Sequence, residues 1–465
     1  MPYLDPGCFV KRYYPEPDSA KVGALIQGKP LCGTPLTKAV RERTSALPGA
    51  RFAATLCGMK LNHGLHLAYC TNIHRGETWA ETFAALQTHT LAVRERVCPR
   101  APYGIGLRLS QGAARELSER AALRAFQQWL DAHGCYVFTI NGFPYGQFHG
   151  TRVKEQVYQP DWTTPERLAY TNLLFDLLAQ LLPAGVEGSV STVPCGFKGL
   201  VGTADEMKVI RANLWQCVEH IAQVSMQTGR PLHLGLEPEP LCVLETSREV
   251  IQFFDEMRAE HPHEPRLAAH LGVNYDTCHL AVEFEEASPA LILLQQYQIK
   301  LSKIHLSNAL RVNPTAEVRE QLRAFADDVY LHQTIVRRAD GQQIRYRDLK
   351  DALELEPVAK GDRLWPMTDG QSDAGNPQSS EWRIHFHIPL HAPPTELFGN
   401  TADHLLGTLD VLAADPARCP HLEMETYTWE VLPGDLKNRS VVDQLVAEYD
   451  WTLARLRERG LAHRG

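Results

Sequence analysis

Four short stretches decide the fold: LHLGLEPEP at 232–240, VNYDTCH at 273–279, KIHLSN at 303–308 and LEMETYTW at 422–429. Each one is a short β-type run that ends in carboxylate or histidine side chains. In a parallel barrel the carboxyl ends of all strands meet at one rim, where the active site lies. The four stretches therefore predict consecutive strands that present polar groups at a shared rim.

Four earlier β runs precede these stretches, and amphipathic runs separate them. The eight predicted strands are His66–Asn72, Tyr103–Leu109, Cys135–Ile140, Gly188–Val193, Leu232–Glu237, His270–Tyr275, Leu301–Leu306 and His421–Thr426. Apolar positions three or four residues apart predict helices over Glu166–Leu182, Asp205–Thr228, Val250–Ala259 and Val441–Arg459. This alternation predicts one (β/α)8 TIM barrel. A doubly wound sheet is the alternative, but no G-x-G-x-x-G follows the first strand.

Two regions interrupt the alternation. Residues 1–60 precede the first strand and predict an N-terminal extension packed on the barrel, which occupies 61–465. Residues 308–382 are too long for an ordinary connection between strands. Within them, an Asp340-Gly341 turn between two β runs predicts a hairpin. An insertion at this end of a barrel is a candidate lid.

The bulk composition restricts the function classes. The 465 residues carry a formal charge of −8, with 44% hydrophobic and 22% charged residues. This balance favours a globular protein that does not bind nucleic acid. Eleven scattered cysteines without a CxxC motif, no signal-peptide pattern and no apolar run of spanning length predict a cytoplasmic protein without a membrane span.

The rim residues predict a metal site. They are Glu237, Asp276, His305 and Glu425, one from each of the last four strands. A single Glu or His near a strand end is commonly a solvated loop residue, but four on consecutive strands are difficult to explain that way. Buried carboxylates repel one another without a cation. The mixed oxygen and nitrogen set suits a divalent ion such as Mn, Zn, Mg, Co or Fe.

Further candidates lie outside these four strands. WRIHFHIPLH at 382–391 carries His385 and His387, which share one face of an extended segment and make a chelating pair; surface histidines are the alternative. The loops after the first, third and fourth strands carry candidate substrate-binding residues, namely His74, Asn141, His149 and Lys198. Lys198 suits an anionic group, although an ordinary turn lysine is the simpler interpretation.

The succession LEPEP, YDTCH, KIHLSN and LEMET resembles the xylose-isomerase-like barrel superfamily, which includes sugar-phosphate isomerases/epimerases and endonuclease IV. The resemblance implies Glu237, Asp276, His305 and Glu425 as metal ligands. It also implies His279 as an additional ligand in multi-metal members. The three-zinc branch has an Asp-x-His pair where this chain has His385 and His387, which argues against a full trinuclear zinc site.

Longer motifs resemble the EboE family of metabolite traffic proteins, encoded in bacterial ebo clusters. They are LAYCTNIHRGETW at 67–79, TINGFPYGQFHG at 139–150 followed by VKEQVYQPDW, and LEMETYTWEVLP at 422–433. The similarity runs from about Leu61 to Pro433. It implies an isomerase/epimerase-like fold and other ebo-cluster proteins as partners.

Three functions remain open from the sequence. The first is a metal-dependent isomerase or epimerase of a small polyhydroxylated or phosphorylated metabolite, in which Glu237 and Glu425 transfer the proton. The second is a metal-dependent phosphoester hydrolase that uses further ions at His279, His385 and His387. The third is a carrier that binds a metabolite without converting it.

Overall fold

The computed structural model describes residues 59–147, 154–338, 340–354, 381–433, 437 and 439–463. The strands in these ranges are β1 His66–Tyr69, β2 Tyr103–Arg108, β3 Cys135–Asn141, β4 Gly188–Thr192, β5 Leu232–Leu236, β6 Leu271–Asp276, β7 Lys300–Leu306, β8 Ala309–Val312, β9 Thr334–Arg337, β10 Gln343–Tyr346, β11 Glu381–His387, β12 Gly399–Asn400 and β13 His421–Met424. Nearly all of the predicted N-terminal extension, residues 1–58, lies outside the described residues.

The α-helices of the same ranges lie between and after the strands. They are α1 Trp79–Ala85, α2 Leu91–Val97, α3 Gln111–Ser118, α4 Arg120–His133, α5 Pro165–Leu181, α6 Ala204–Thr228, α7 Ser247–Glu260, α8 Pro265–His270, α9 Thr277–Val282, α10 Ala287–Gln296, α11 Ala316–Leu322, α12 Leu349–Glu354, α13 Ala402–Ala414 and α14 Val441–Glu458. None of these helices combines the length and the apolar character needed to cross a bilayer.

A parallel barrel forms the centre of the described chain. Strands β1 to β7 and β13 pair in the order β1-β13-β7-β6-β5-β4-β3-β2. A parallel bridge between Cys70 and Gly106 joins the two ends of this order. A Cβ on Gly106 would fall 1.8 Å from Glu423 Oε1 and 2.8 Å from the Tyr69 carbonyl oxygen, so this closure requires glycine. The predicted (β/α)8 barrel is confirmed, with all eight predicted strands in place.

Several helices begin at capping boxes that the sequence encodes locally. Thr78, Thr203 and Thr246 each cap a helix, and the glutamate three residues later bonds back to the capping residue. Such caps contribute about 1 kcal/mol each because they satisfy amide groups that have no partner inside the helix. They fix the residues at which α1, α6 and α7 begin, after the loops at the carboxyl end of the barrel.

A second, antiparallel sheet follows β7, with the order β10-β9-β11-β8-β12. The predicted hairpin is present as β9 and β10, and Gly341 in its turn adopts a positive φ of 87°. The sheet has its own apolar core, which includes Leu310, Trp382 and Phe386. It extends past the predicted insertion limit at 382 as far as Asn400, so His385 and His387 belong to its central strand β11.

Buried histidines occupy the opposite, amino-terminal end of the barrel. His66 Nδ1 lies 2.9 Å from the Tyr136 hydroxyl, and the His66 and His421 rings are 6.1 Å apart. Burial lowers the pKa of His66 and of His233 to about 4, and that of His421 well below its usual range. These imidazoles are therefore neutral in the folded protein at pH values where the unfolded chain is already protonated.

Replacing His66 with asparagine should reduce the acid sensitivity of folding. Between pH 6.5 and about 4 the unfolded chain takes up a proton on His66 and the folded protein does not, so stability falls as the pH falls. At pH 5 this difference in proton uptake lowers the free energy of unfolding by about 2 kcal/mol relative to pH 8. Urea denaturation at pH 8 and pH 5 should show that His66→Asn loses about 2 kcal/mol less stability than the wild type. The exposed His63→Asn is the control, and an unchanged pH dependence in His66→Asn would refute the expectation.

Candidate metal centre

The structure brings together the four predicted ligands. Glu237 and Glu425 directly follow β5 and β13, Asp276 ends β6, and His305 lies near the end of β7. One ligand atom from each lies within 4.8 Å of the others, and all four side chains are buried. His305 Nδ1 lies 3.0 Å from Glu237 Oε1, 3.2 Å from Glu425 Oε2 and 3.5 Å from Asp276 Oδ2. We refer to these residues as the four-ligand cluster.

Charge and hydrogen bonding in this cluster fit a cation. Asp276 Oδ1 accepts hydrogen bonds from the Cys278 and His279 amides and the Ser307 hydroxyl, whereas Oδ2 has no hydrogen-bond partner. Burial alone would raise the pKa of Asp276, but the neighbouring imidazoles hold it well below its usual range. Three carboxylates in a buried site need compensating positive charge, and a divalent ion would supply it.

A buried ion pair beneath the cluster orients His305. Glu423 Oε2 lies 2.9 Å from His305 Nε2 and 2.6 Å from Lys303 Nζ, and Lys303 and Glu423 are both fully buried. Burial opposes ionisation of Glu423, yet Lys303 and His305 lower its pKa to about 2. The Glu423 carboxylate therefore accepts a hydrogen bond from His305 Nε2, which places Nδ1 toward the other three ligands.

Three further histidines converge beside the four-ligand cluster; we call them the histidine cluster. His279, His385 and His387 bond through Nδ1 to the Pro238 carbonyl, the Gln333 side-chain carbonyl and the Glu425 carbonyl, at 3.0, 2.8 and 3.0 Å. In the neutral form of each ring, these acceptors place the hydrogen on Nδ1 and leave a lone pair on Nε2.

The two histidines of β11 approach each other closely, with His385 Nε2 and His387 Nε2 only 3.1 Å apart. Burial lowers the pKa of both groups, and each Nδ1 bonds to a carbonyl oxygen, so the two Nε2 atoms are the ring nitrogens that face each other. Asp276, His279 and His387 also bring ligand atoms within 4.8 Å of one another. Asp276, a member of the four-ligand cluster, thus also adjoins the histidine cluster.

A pocket opens over both clusters at the carboxyl end of the barrel. Four aromatic residues line it, namely Phe143, Tyr158, Tyr330 and Tyr427, together with Glu237 and Glu425. An apolar wall above a set of converging polar groups is typical of a site for a small organic ligand.

The residues predicted to bind substrate lie at different distances from the four-ligand cluster. Asn141 Nδ2 donates to Glu425 Oε1 at 3.2 Å, beside Asn72, which donates to the same oxygen at 2.8 Å. His74 contacts the Tyr69 hydroxyl at 2.9 Å and stacks on His89. His149 lies outside the described residues.

Lys198 does not join either cluster. Its ammonium group pairs with Glu245 and, at 2.7 Å, with Glu249. Two carboxylates therefore already neutralise this lysine, and the simpler interpretation, a lysine of the loop itself, fits better than an anion-binding role.

Sequence reasoning missed Glu239 as a site residue. It is buried, it lines the pocket, and its Oε1 accepts a hydrogen bond from the Tyr158 hydroxyl at 2.5 Å. Burial raises the pKa of Glu239 to about 7. The signal was available in the sequence, because LEPEP places a second glutamate two residues after Glu237.

No family model matches the chain, and no curated protein matches it. Among solved structures it is similar to a xylose isomerase domain protein from Planctomyces limnophilus, with 13% identity over 84% of this chain and 96% of that one, at a TM-score of 0.44. A D-allulose 3-epimerase from Methylomonas sp. in complex with D-allulose has 11% identity over 87% and 99%, at 0.42. An IOLI protein with a bound zinc atom has 10% identity over 84% and 98%, at 0.40. Membership in the EboE family stays a prediction.

Proposed function

We propose that the protein is a metal-dependent isomerase or epimerase of a small polyhydroxylated metabolite. The observation that carries the proposal is the four-ligand cluster, in which three buried carboxylates and His305 converge beneath a partly aromatic pocket. The cluster's composition fits a divalent ion such as Mn, Zn, Mg, Co or Fe. Such an ion would supply positive charge next to substrate oxygens on which negative charge develops.

The two glutamates of the cluster have different surroundings, and we assign them different roles in the reaction. Glu425 Oε1 is held by the Asn72 and Asn141 amides, while its Oε2 faces His305. Glu237 Oε1 faces His305, but its Oε2 has no hydrogen-bond partner and the side chain lines the pocket. We assign to Glu237 the removal of a proton from the carbon beside a substrate carbonyl and the delivery of that proton to the neighbouring carbon, and to Glu425 a positioning role.

Deuterium incorporation tests this assignment. Protein reconstituted with Mn²⁺ and incubated in D₂O with a panel of free ketoses should place deuterium at the carbon next to the carbonyl, as followed by NMR. Glu237→Gln should lower the exchange rate at least about 100-fold, because the amide cannot accept the proton. The exposed Glu320→Gln is the control for handling. Exchange that survives in Glu237→Gln would rule out the assigned base.

A hydrolase is the second candidate, and the histidine cluster favours it. Two cations that share Asp276 would be able to activate water and to stabilise the leaving oxygen of a phosphoester. Hydrolysis of bis(p-nitrophenyl) phosphate by the two-ion form, without deuterium exchange into any sugar, would make the hydrolase the better description. Metal binding with neither activity would favour the carrier.

The proposed metabolic role of the protein rests on the sequence motifs alone. The long loops that resemble the EboE family support a role in making or moving a small metabolite together with other ebo-cluster products in the cytoplasm. The inserted sheet, which carries two of the histidines, is proposed as a lid on the pocket.

A further inference from the structure

Glu239 lines the pocket above the four-ligand cluster with a carboxylate of which only one oxygen is satisfied. The Tyr158 hydroxyl and the Gln333 amide donate to Oε1, at 2.5 and 3.2 Å. Oε2 has no hydrogen-bond partner among the described residues, and the residue is only 4% exposed. Because a buried carboxylate oxygen without a donor costs free energy, a ligand group that brings hydrogen-bond donors or positive charge is favoured there.

The lysine of the same pocket has no donor to offer to a ligand. Lys154 Nζ bonds to Asp348 Oδ2 at 2.5 Å and to two backbone carbonyl oxygens at 2.7 and 3.0 Å. An ammonium group has three hydrogens, so these three acceptors use all of them. Among the described lining residues the other charged side chains, the histidines aside, are Glu237, Glu239 and Glu425. Away from the metal ion, these residues therefore attract a cationic group and repel a phosphate.

Aromatic rings form much of the remaining pocket wall. The Tyr158 ring stacks with Phe143 and with Phe197, at centre-to-centre distances of 5.7 and 5.0 Å. The Tyr330 and Tyr427 rings meet edge to face, 5.4 Å apart. Aromatic faces attract ammonium groups, and the attraction grows where water is excluded. A buried carboxylate next to aromatic rings is thus suited to a protonated amine.

We infer that the pocket takes a polyhydroxylated substrate that carries a protonated amino group, and that Glu239 binds this group through Oε2. The inference rests on the proposed function, since it names the substrate class of the same site. His279 has ligand atoms within 4.8 Å of both Glu239 and Asp276, so Glu239 lies close to the four-ligand cluster. A molecule of sugar size whose oxygens contact the metal ion can therefore reach Glu239 with its amino group.

The binding of matched sugars tests the inference without a measure of turnover. The full-length protein, reconstituted with Mn²⁺, is titrated calorimetrically with glucosamine, glucose, N-acetylglucosamine and the terminal phosphate ester of glucose. Fructosamine, fructose and the terminal phosphate ester of fructose form a second set, and the pH is one at which the free amines are protonated. In at least one set the amine should bind at least about tenfold more tightly than the alcohol. N-acetylglucosamine keeps the nitrogen but not the charge, so it should bind no better than glucose.

Glu239→Gln should lose the preference for the amine and keep the affinity for the alcohol. The amide oxygen can still accept from the Tyr158 hydroxyl, whereas the negative charge is gone. Glu448→Gln is the matched control, since Glu448 is also buried with one unpartnered oxygen but does not line the pocket. Thermal unfolding identifies a variant that fails to fold, and in that case the ranking of sugars by the wild-type protein decides.

Three outcomes would overturn the inference. They are an alcohol or a phosphate ester that binds as tightly as the amine in both sets, no binding in either set, and an amine preference that persists in folded Glu239→Gln. Each of them leaves the proposed function standing if Mn²⁺ binds and deuterium exchange into ketoses depends on Glu237. An amine preference without metal binding or exchange would remove the proposed reaction and keep the amine site.

Discussion

Asp276→Asn should reduce the affinity of the four-ligand cluster for Mn²⁺ or Zn²⁺ at least about 100-fold. The substitution removes one of three negative charges, and it turns Oδ2, the oxygen that lacks a hydrogen-bond partner, into an amide that is a poor ligand. A 100-fold loss corresponds to about 2.8 kcal/mol of binding free energy.

The fold should survive this change, because asparagine retains the oxygen that receives the Cys278 and His279 amides at the start of α9. Bound metal is measured by elemental mass spectrometry after gel filtration, and thermal unfolding checks the fold. Asp403→Asn is the control, since Asp403 is an exposed aspartate paired with Arg311 at 2.9 Å. A folded Asp276→Asn protein with undiminished metal would remove this residue from the site.

Lys303→Met should destabilise the protein by about 3 to 5 kcal/mol, which is the usual cost of leaving a buried charge without its partner. Lys303 and Glu423 are both fully buried, and their charged groups are 2.6 Å apart. Methionine has nearly the same length as lysine, so the lost charge dominates over lost packing. Urea denaturation of the metal-free protein measures the effect without contributions from metal binding.

The double variant Lys303→Met/Glu423→Gln provides the matching control. It removes both charges, so we expect it to regain a large part of the stability that Lys303→Met alone loses. The glutamine can still accept a hydrogen bond from His305 Nε2. Equal stability of the single and double variants would show that the ion pair is not what Lys303 contributes.

The sequence could predict the barrel and the four-ligand cluster for the same physical reason. The alternation between β runs and amphipathic runs is a local property of the sequence. The parallel strands of a barrel bring their carboxyl ends to one rim regardless of the sequence of the loops. A ligand at a strand end, such as Asp276, is therefore placed once the strand is recognised. The register confirms this, since Asp276 and Glu423 both pair directly with His305 across neighbouring strands.

The features that sequence reasoning missed depend on contacts between distant segments. Glu239 lies beyond its strand, and its burial follows from Tyr158 and Gln333, which come from other parts of the chain. Lys198 has a loop position that suits anion binding, yet Glu245 and Glu249 neutralise it only after folding. The second sheet extends past its predicted limit because β11 and β12 both pair with β8, so its end depends on pairing and not on a composition change.

The distribution of ligands between the two halves of the barrel has a consequence for how the protein can be altered. All four members of the four-ligand cluster lie in or directly after β5, β6, β7 and β13, whereas β1, β3 and the loops after them contribute the amides of Asn72 and Asn141 and the ring of Phe143. The four candidate ion ligands are thus encoded in the second half of the gene alone, whereas the pocket lining comes from both halves, since Tyr330 and Tyr427 also line it. Replacing the first half with that of a related barrel should therefore change part of the pocket lining while the four candidate ligands stay in place.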